Sequence, residues 1–273
     1  MIRKAVVAGQ FYPGNKKELE EKLSDLMGDT GGSSIKKDAV YAVILPHAGY
    51  MYSGQVAADT LSSVELKDTL IILGPNHTGL GKPFSVMTEG SWQTPLGEVV
   101  IDTVLAQKIV VSSQYLKSDT LAHEMEHSIE VLLPFLQYAQ KKLKFVPIVI
   151  ARAEPFIYKQ IARDIVRAIR ELSLEKDVSI VASSDMTHYE SQQAAQNKDN
   201  YAIESIIHLN ADELLKRVEE KHITMCGVAP VAIMLDIVKE LGATRAHLVN
   251  YRTSGDVTGD YDSVVGYAGI KIN

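Results

Sequence analysis

Three short apolar runs, each ending in a polar tail that carries a histidine, constrain this chain more than any other feature. Val40-Tyr41-Ala42-Val43-Ile44-Leu45 runs into Pro46-His47-Ala48-Gly49-Tyr50, and Thr69-Leu70-Ile71-Ile72-Leu73 runs into Gly74-Pro75-Asn76-His77. Val178-Ser179-Ile180-Val181-Ala182 runs into Ser183-Ser184-Asp185-Met186-Thr187-His188. Short apolar runs rich in β-branched residues and bounded by breakers are the pattern of strands buried on both faces, as in parallel sheets covered by helices. In such sheets ligands sit beyond the carboxyl ends of the strands. If the three strands are parallel neighbours, their imidazoles converge on one edge of the sheet.

The rest of the chain supplies the helices. Asn15 with Glu18 three residues on forms a capping box, and Leu19, Leu23, Leu26 and Met27 follow at helical spacing, which predicts a helix over 16–27. Helices are expected over 55–63, from Asp102 to about 110, over most of 123–142 with a break at Pro134, over 154–172, over 199–209, after Asn210, and over 231–241 with Gly242 as its stop. Strands are expected at 84–87 and 98–101, bracketing Trp92 as an antiparallel pair, and at 145–150, 246–251 and 264–272. Strands alternating with helices predict an α/β fold: a single domain over 1–273 with a central, mostly parallel mixed sheet flanked by helices. The one Gly/Ser/Asp/Thr-rich break, Gly28 to Lys37, lies too near the start to divide two domains.

Net charge and apolar run length narrow the function classes. The net charge of −6 comes with scattered Lys and Arg, so nucleic acid is not an expected partner. No apolar run approaches twenty residues, so no membrane span is expected, and the N-terminus lacks the apolar core of a signal peptide. A single cysteine excludes an internal disulfide framework and suits a cytoplasmic protein.

Several residues could carry chemistry. His47 and His77 stand just past strands, where backbone shape is fixed, and neutral imidazole is the commonest metal ligand. Asp185 and His188, three apart, would face one pocket if the chain turned helical there, with the carboxylate orienting the imidazole as a general base. Cys226, before a Gly-Val-Ala-Pro turn, offers a soft ligand for zinc, iron or copper, although a lone cysteine is more often inert and buried. His123-Glu124-Met125-Glu126-His127 is an H-E-x-x-H string, which on a helix would hold zinc, but no third ligand follows at the usual distance. The alternative expectation is that His127 serves the crevice. Phe11, Tyr12, Tyr50 and Trp92 could form its aromatic mouth.

Taken together, Gly9-Gln10-Phe11-Tyr12-Pro13, Pro46-His47-Ala48-Gly49-Tyr50, Gly74-Pro75-Asn76-His77, Glu126-His127-Ser128-Ile129-Glu130, Ser183-Ser184-Asp185-Met186-Thr187-His188-Tyr189, Cys226-Gly227 and Tyr251-Arg252-Thr253-Ser254-Gly255-Asp256 resemble the Memo family in order and over nearly the whole chain. The resemblance implies a fold similar to class III extradiol dioxygenases, which are non-haem iron enzymes. By the same resemblance His47 and His77 would be metal ligands, with Cys226 where those dioxygenases place a glutamate. His188 would be the base, Asp185 would line its pocket, and His127 would lie near the substrate. A thiolate in place of a carboxylate makes the donor set softer, so the resemblance implies a metal pocket more strongly than ring cleavage. It also implies phosphotyrosine-peptide binding in human members and, in bacteria, association with a radical SAM protein and an AMMECR1-like protein.

Two functions of different class follow. The first is a metal-dependent oxidoreductase, using iron or copper, with zinc as the redox-silent option, on an unidentified small molecule. The second is a non-catalytic module that binds a phosphopeptide or another anionic ligand in the same crevice.

Overall fold

The computed structural model describes residues 1–28, 37–140 and 142–273, so the interior of the expected Gly28–Lys37 loop lies outside the described residues. Its centre is the run of strands expected from the sequence. Val178–Ser183 lies between Ala42–Leu45 and Thr69–Pro75 and is parallel to both, with Ala182 opposite Ile44 on one side and Leu73 on the other. Lys144–Ile150 continues the sheet on the far side of Thr69–Pro75, again parallel, with Ile150 opposite Pro75. Every residue of Ala42–Leu45 and Val178–Ser183 is buried, as their unbroken apolar pattern requires.

Crossover geometry sets the layers. From Ala42–Leu45 the chain passes through the Tyr50–Ser62 helix to Thr69–Pro75 and moves one way across the sheet. From Lys144–Ile150 it passes through the Pro155–Glu171 helix to Val178–Ser183 and moves back the other way. Right-handed crossovers of opposite travel place these two helices on opposite faces. Val228–Leu241 packs with Pro155–Glu171 against the central strands, while Lys16–Met27 and Leu133–Ala139 pack with Tyr50–Ser62. Antiparallel strands finish the sheet: Val264–Ile272 runs against Ala42–Leu45, and Ala246–Thr253 runs against Val264–Ile272. One hydrophobic cluster runs through both layers. No helix among the described residues is long and apolar enough to cross a membrane.

Local signals account for most element ends. The Asn15 side chain accepts the Glu18 N–H at 2.9 Å, Asp102 caps Thr103–Ser112 by accepting from Leu105, Asn210 does the same for Glu213, and Gly242 closes its helix in the left-handed region.

Four expectations are corrected. The second helix begins at Tyr50, not 55: Gly54 sits inside it, where an added Cβ would meet a Leu26 methyl at 3.0 Å, so the glycine serves close packing and not a loop. The helix read as 199–209 spans Gln192–Ile207, its first turns being too polar to show an apolar stripe. Gly97–Ile101 pairs with Ser91–Thr94 as a hairpin turning at Pro95-Leu96, while Phe84–Val86 pairs with Lys144–Ile150. The stretch 123–142 is not one broken helix. It holds a single turn at Leu121–Glu124, an irregular segment, a 3-10 turn at Glu130–Leu132 and the Leu133–Ala139 helix.

Candidate metal centre

The three strand ends deliver their side chains to one place. His47 follows Leu45, His77 follows Pro75, and Ser183 to Asp185 follow the strand between them. Cys226 arrives from another direction, just before the Val228–Leu241 helix. Gly227 is what lets it approach: a Cβ there would lie 2.3 Å from the Ser183 carbonyl oxygen and 2.5 Å from Ser184 Cβ. The nitrogens of His47 and His77 and the Cys226 sulfur lie within 4.8 Å of one another. Cys226 Sγ is 3.4 Å from His47 Nε2. Two donors on one tetrahedral ion, with bonds of roughly 2.1 and 2.3 Å, stand about 3.6 Å apart, so this spacing is already that of a ligand pair.

Hydrogen bonds fix which imidazole nitrogen is free. The Ser183 hydroxyl donates its only proton to the Ser128 carbonyl at 2.6 Å. The 2.7 Å contact between Ser183 Oγ and His47 Nδ1 must therefore carry a proton from the ring, leaving the Nε2 lone pair facing Cys226. His77 Nδ1 is 2.8 Å from Glu126 Oε1, an acceptor, so its proton is also on Nδ1 and its Nε2 is open. His188 Nδ1 lies 3.0 Å from the Thr224 carbonyl oxygen and is fixed in the same tautomer. Three rings thus present Nε2 as a base or ligand, each held from behind by a group that can only accept.

Charges support the same arrangement. Burial is the largest influence on Glu126 and opposes ionisation, but the His77 ring, with the backbone N–H groups of Ser128 and His77, brings its carboxyl down to about 2. Burial, then the neighbouring His77 and His127 rings, holds His47 well below the usual imidazole range. His127 is lowered by burial first. Burial, then the Asp185 carboxylate, pushes the Cys226 thiol up. A His47 ring kept uncharged by burial, beside a thiol that needs a cation to ionise, makes a donor pair suited to a metal ion.

A second group, His77, Glu126 and His127, also falls within 4.8 Å among the described residues. Its carboxylate is already committed: Oε1 accepts from the His77 ring and Ser128 N, and Oε2 accepts from His77 N at 2.6 Å. Glu126 therefore positions His77. His127 stacks on His77 with ring centroids 4.7 Å apart and meets Phe11 edge-on at 5.1 Å, while Phe11 itself borders a separate hollow with Tyr12 and Tyr50.

The remaining candidates fall differently from the sequence reading. Asp185 does not orient His188. Residues 184–187 are not helical, Thr224 holds the imidazole, and Asp185 Oδ1 instead accepts the His47 backbone N–H at 2.8 Å, burial having raised its pKa to about 6. Trp92 is not at the mouth: it is fully buried under the Arg3 guanidinium, 4.2 Å from the ring centre, with its N–H on Met87 Sδ. Tyr12 and Tyr50 are buried, their hydroxyls spent on Glu130 and the Val131 carbonyl, and they border a separate hollow of about 270 Å³. His123, the first histidine of the H-E-x-x-H string, is buried against Trp92 with Nε2 on Ser85 Oγ, and it joins neither metal-ligand group. Without a helix through 123–127 its two histidines share no face, which removes the zinc-helix reading of the string.

Sequence reasoning assigned no role to Glu126, Ser183, Thr224, Arg3 or Glu130. Glu130 takes the Arg3 guanidinium, the Val6 and Val7 N–H groups and the Tyr12 hydroxyl, tying residues 3–12 to the segment that carries Glu126 and His127. No periodicity reveals a buried carboxylate that serves backbone donors over a hundred residues away.

Comparison with known proteins agrees with this geometry. The family model described as Memo-like protein matches residues 3–271. A MEMO1 family protein of Aquifex aeolicus is 43% identical over 270 residues, covering 98% of each chain. Another, from Nitrosopumilus maritimus, is 40% identical over 277 residues, covering 99% of each. In fold alone, the chain is similar to an uncharacterized protein of Escherichia coli K12, with a TM-score of 0.56 at 13% identity, over 85% of this chain and 99% of that one.

Proposed function

The chain belongs to the Memo-like family, and from that premise we propose that His47, His77 and Cys226 hold one redox-active metal ion, iron or copper, in a centre that oxidises a small molecule. The observation that carries this reading is the grouping of the donor atoms: a nitrogen from each of two imidazoles and a sulfur share one gap, and neither ring can turn away without giving up a hydrogen bond, buried for His47 and part-buried for His77. Two nitrogens and a thiolate leave coordination positions open, and an ion bound there would supply Lewis acidity and one-electron chemistry.

The protein's own groups do the rest. Asp185 holds the His47 peptide N–H and donates its own N–H to Cys226 Sγ at 3.2 Å, so it sets the spacing of two ligands. His188, its Nδ1–H on Thr224, can take a proton at Nε2. His127 stacks on His77 beside the centre, and Phe11 meets His127 edge-on. The anion-binding alternative needs charged imidazoles, and the burial that keeps His47 and His127 neutral works against it.

The test is elemental analysis of protein purified without oxygen. Stoichiometric iron or copper is expected in the wild type, with loss in Cys226→Ser and His47→Ala. Folded wild type that stays metal-free after reconstitution, or a Cys226→Ser variant that retains the metal, would overturn the proposal.

A further inference from the structure

We propose that the cleft beside the metal centre binds an amphipathic acid: a partly apolar molecule whose single carboxylate-type anion is held by Arg152 and Tyr158 while its other end reaches the gap between His77 and Cys226. The second half of this assignment rests on the metal-centre reading; the acid site itself does not.

The cleft encloses about 810 Å³ and includes His77, Arg152, Tyr158 and Cys226 in one lining. That volume is typical of a small-molecule site, roughly 300–1,000 Å³. Strand register explains why Arg152 is there. Ile150 lies opposite Pro75, and Asn76 N donates to the Ile150 carbonyl at 3.0 Å, so the two chains leave the sheet side by side. Arg152 stands two residues beyond one strand as His77 stands two beyond the other. One residue thus faces the metal gap while its neighbour across the sheet edge carries a positive charge.

Arg152 has no ion pair or hydrogen-bonding partner among the described residues, and it is the arginine in the lining of this cleft. Tyr158 is 3% exposed, and its oxygen accepts the Ala153 N–H at 2.6 Å. Its own proton has no acceptor among the described residues, and burial raises its pKa, so the proton remains available to a ligand. A guanidinium and a phenolic donor lining one cleft are both groups that bind carboxylate oxygens. The lining is mixed: Ile150, Val218, Ile223 and Val228 supply apolar surface, and Asn76, His222 and Thr224 supply polar groups. Glu154 and Glu219 stand on the same rim without pairing with Arg152, and their charge disfavours a phosphate or other dianion.

Anilinonaphthalenesulfonate, a fluorescent apolar monoanion, and N-phenylnaphthylamine, its uncharged analogue, test this on the full-length protein, with and without reconstituted metal. Wild type is expected to bind both dyes. Arg152→Gln should weaken the anionic dye about tenfold and the neutral one less than twofold, and Tyr158→Phe should weaken the anionic dye in the same sense. Phenylbutyrate should displace the anionic dye and phenylbutyramide should not. Equal loss of both dyes, an unchanged anionic dye in Arg152→Gln, displacement by the amide as well as the acid, or no anionic dye bound by folded wild type would each overturn the proposal. Metal content is measured on the same samples. Dye discrimination in protein that cannot be loaded with metal supports the acid site while refuting the metal centre.

Discussion

Glu126→Gln is the sharpest perturbation of the centre, because it changes no ligand and almost no volume. In the wild type both carboxylate oxygens accept: Oε1 from His77 Nδ1 at 2.8 Å and Ser128 N at 2.9 Å, Oε2 from His77 N at 2.6 Å. A glutamine can place its oxygen at only one of these positions. Its amide then turns a donor onto a donor, either at the His77 peptide or at the ring. Leaving one buried donor unsatisfied costs about 1–3 kcal/mol, and the part-buried His77 donors set the cost here toward the lower end. If the oxygen stays with the ring, the His77 tautomer survives but loses its charged partner. If the amide faces the ring, the ring must rotate or move its proton, and Nε2 is no longer free. Losing the group that orients a metal-binding imidazole costs roughly 10–100-fold in affinity, which is about 1.4–2.8 kcal/mol. The assay is competition for metal against a coloured chelator, with urea unfolding of the metal-free protein alongside. Expected are a 10–100-fold weaker metal site and a metal-free protein destabilised by about 1–3 kcal/mol. A variant within twofold of wild-type affinity would show that Glu126 does not set the His77 tautomer, and the argument from hydrogen bonds to lone pairs would fail with it.

Further outcomes follow from the same structure. Arg3→Met leaves Glu130 buried without its cation and should cost about 3–5 kcal/mol in urea unfolding, with Glu130→Gln in the same chain recovering part of it; a loss below about 1 kcal/mol would refute the pairing. Gly227→Ala should lower metal occupancy as Cys226→Ser does while the protein stays folded, since the new Cβ must push the Cys226 segment off Ser183; full occupancy by elemental analysis would count against it. Metal-free protein should lose stability in acid. His123 is held down to about 4 by burial against an ordinary 6.5, and His47 is also held low. The unfolded chain therefore takes up protons first, so stability is complete above about pH 6.5 and falls as pH drops toward 4, by on the order of 3 kcal/mol from His123 alone. Urea midpoints that do not change across that window would contradict the assignment.

The centre was legible in the sequence where chemistry sits at the end of a periodic element. His47 and His77 were found because a buried strand and its breakers announce where the chain leaves the sheet, and the three strands are neighbours as expected. Cys226 was found as a residue type, not by position, since only the close approach allowed by Gly227 brings it across. What stayed hidden is long-range satisfaction of buried polar groups. Glu126 and Glu130 interrupt what reads as a helix because they serve His77 and the N-terminal segment, and no local pattern encodes that. Trp92 was misplaced for the converse reason. An aromatic near a turn looks exposed until the hairpin at 91–101 folds it under Arg3.

The Arg3–Glu130 knot joins partners 127 positions apart in the chain. Loop closure over that length must precede the reward of the contact, as it must in the sheet, where Ile180 lies opposite Ala42. The segment bearing Glu126 and His127 is pinned by that knot, by the Glu126 bonds to His77 and by the Ser183 bond to the Ser128 carbonyl. A cation offered to a newly made chain would thus meet ligands without their final bearings until sheet and knot have both closed, and loading competence should mature with the completed fold.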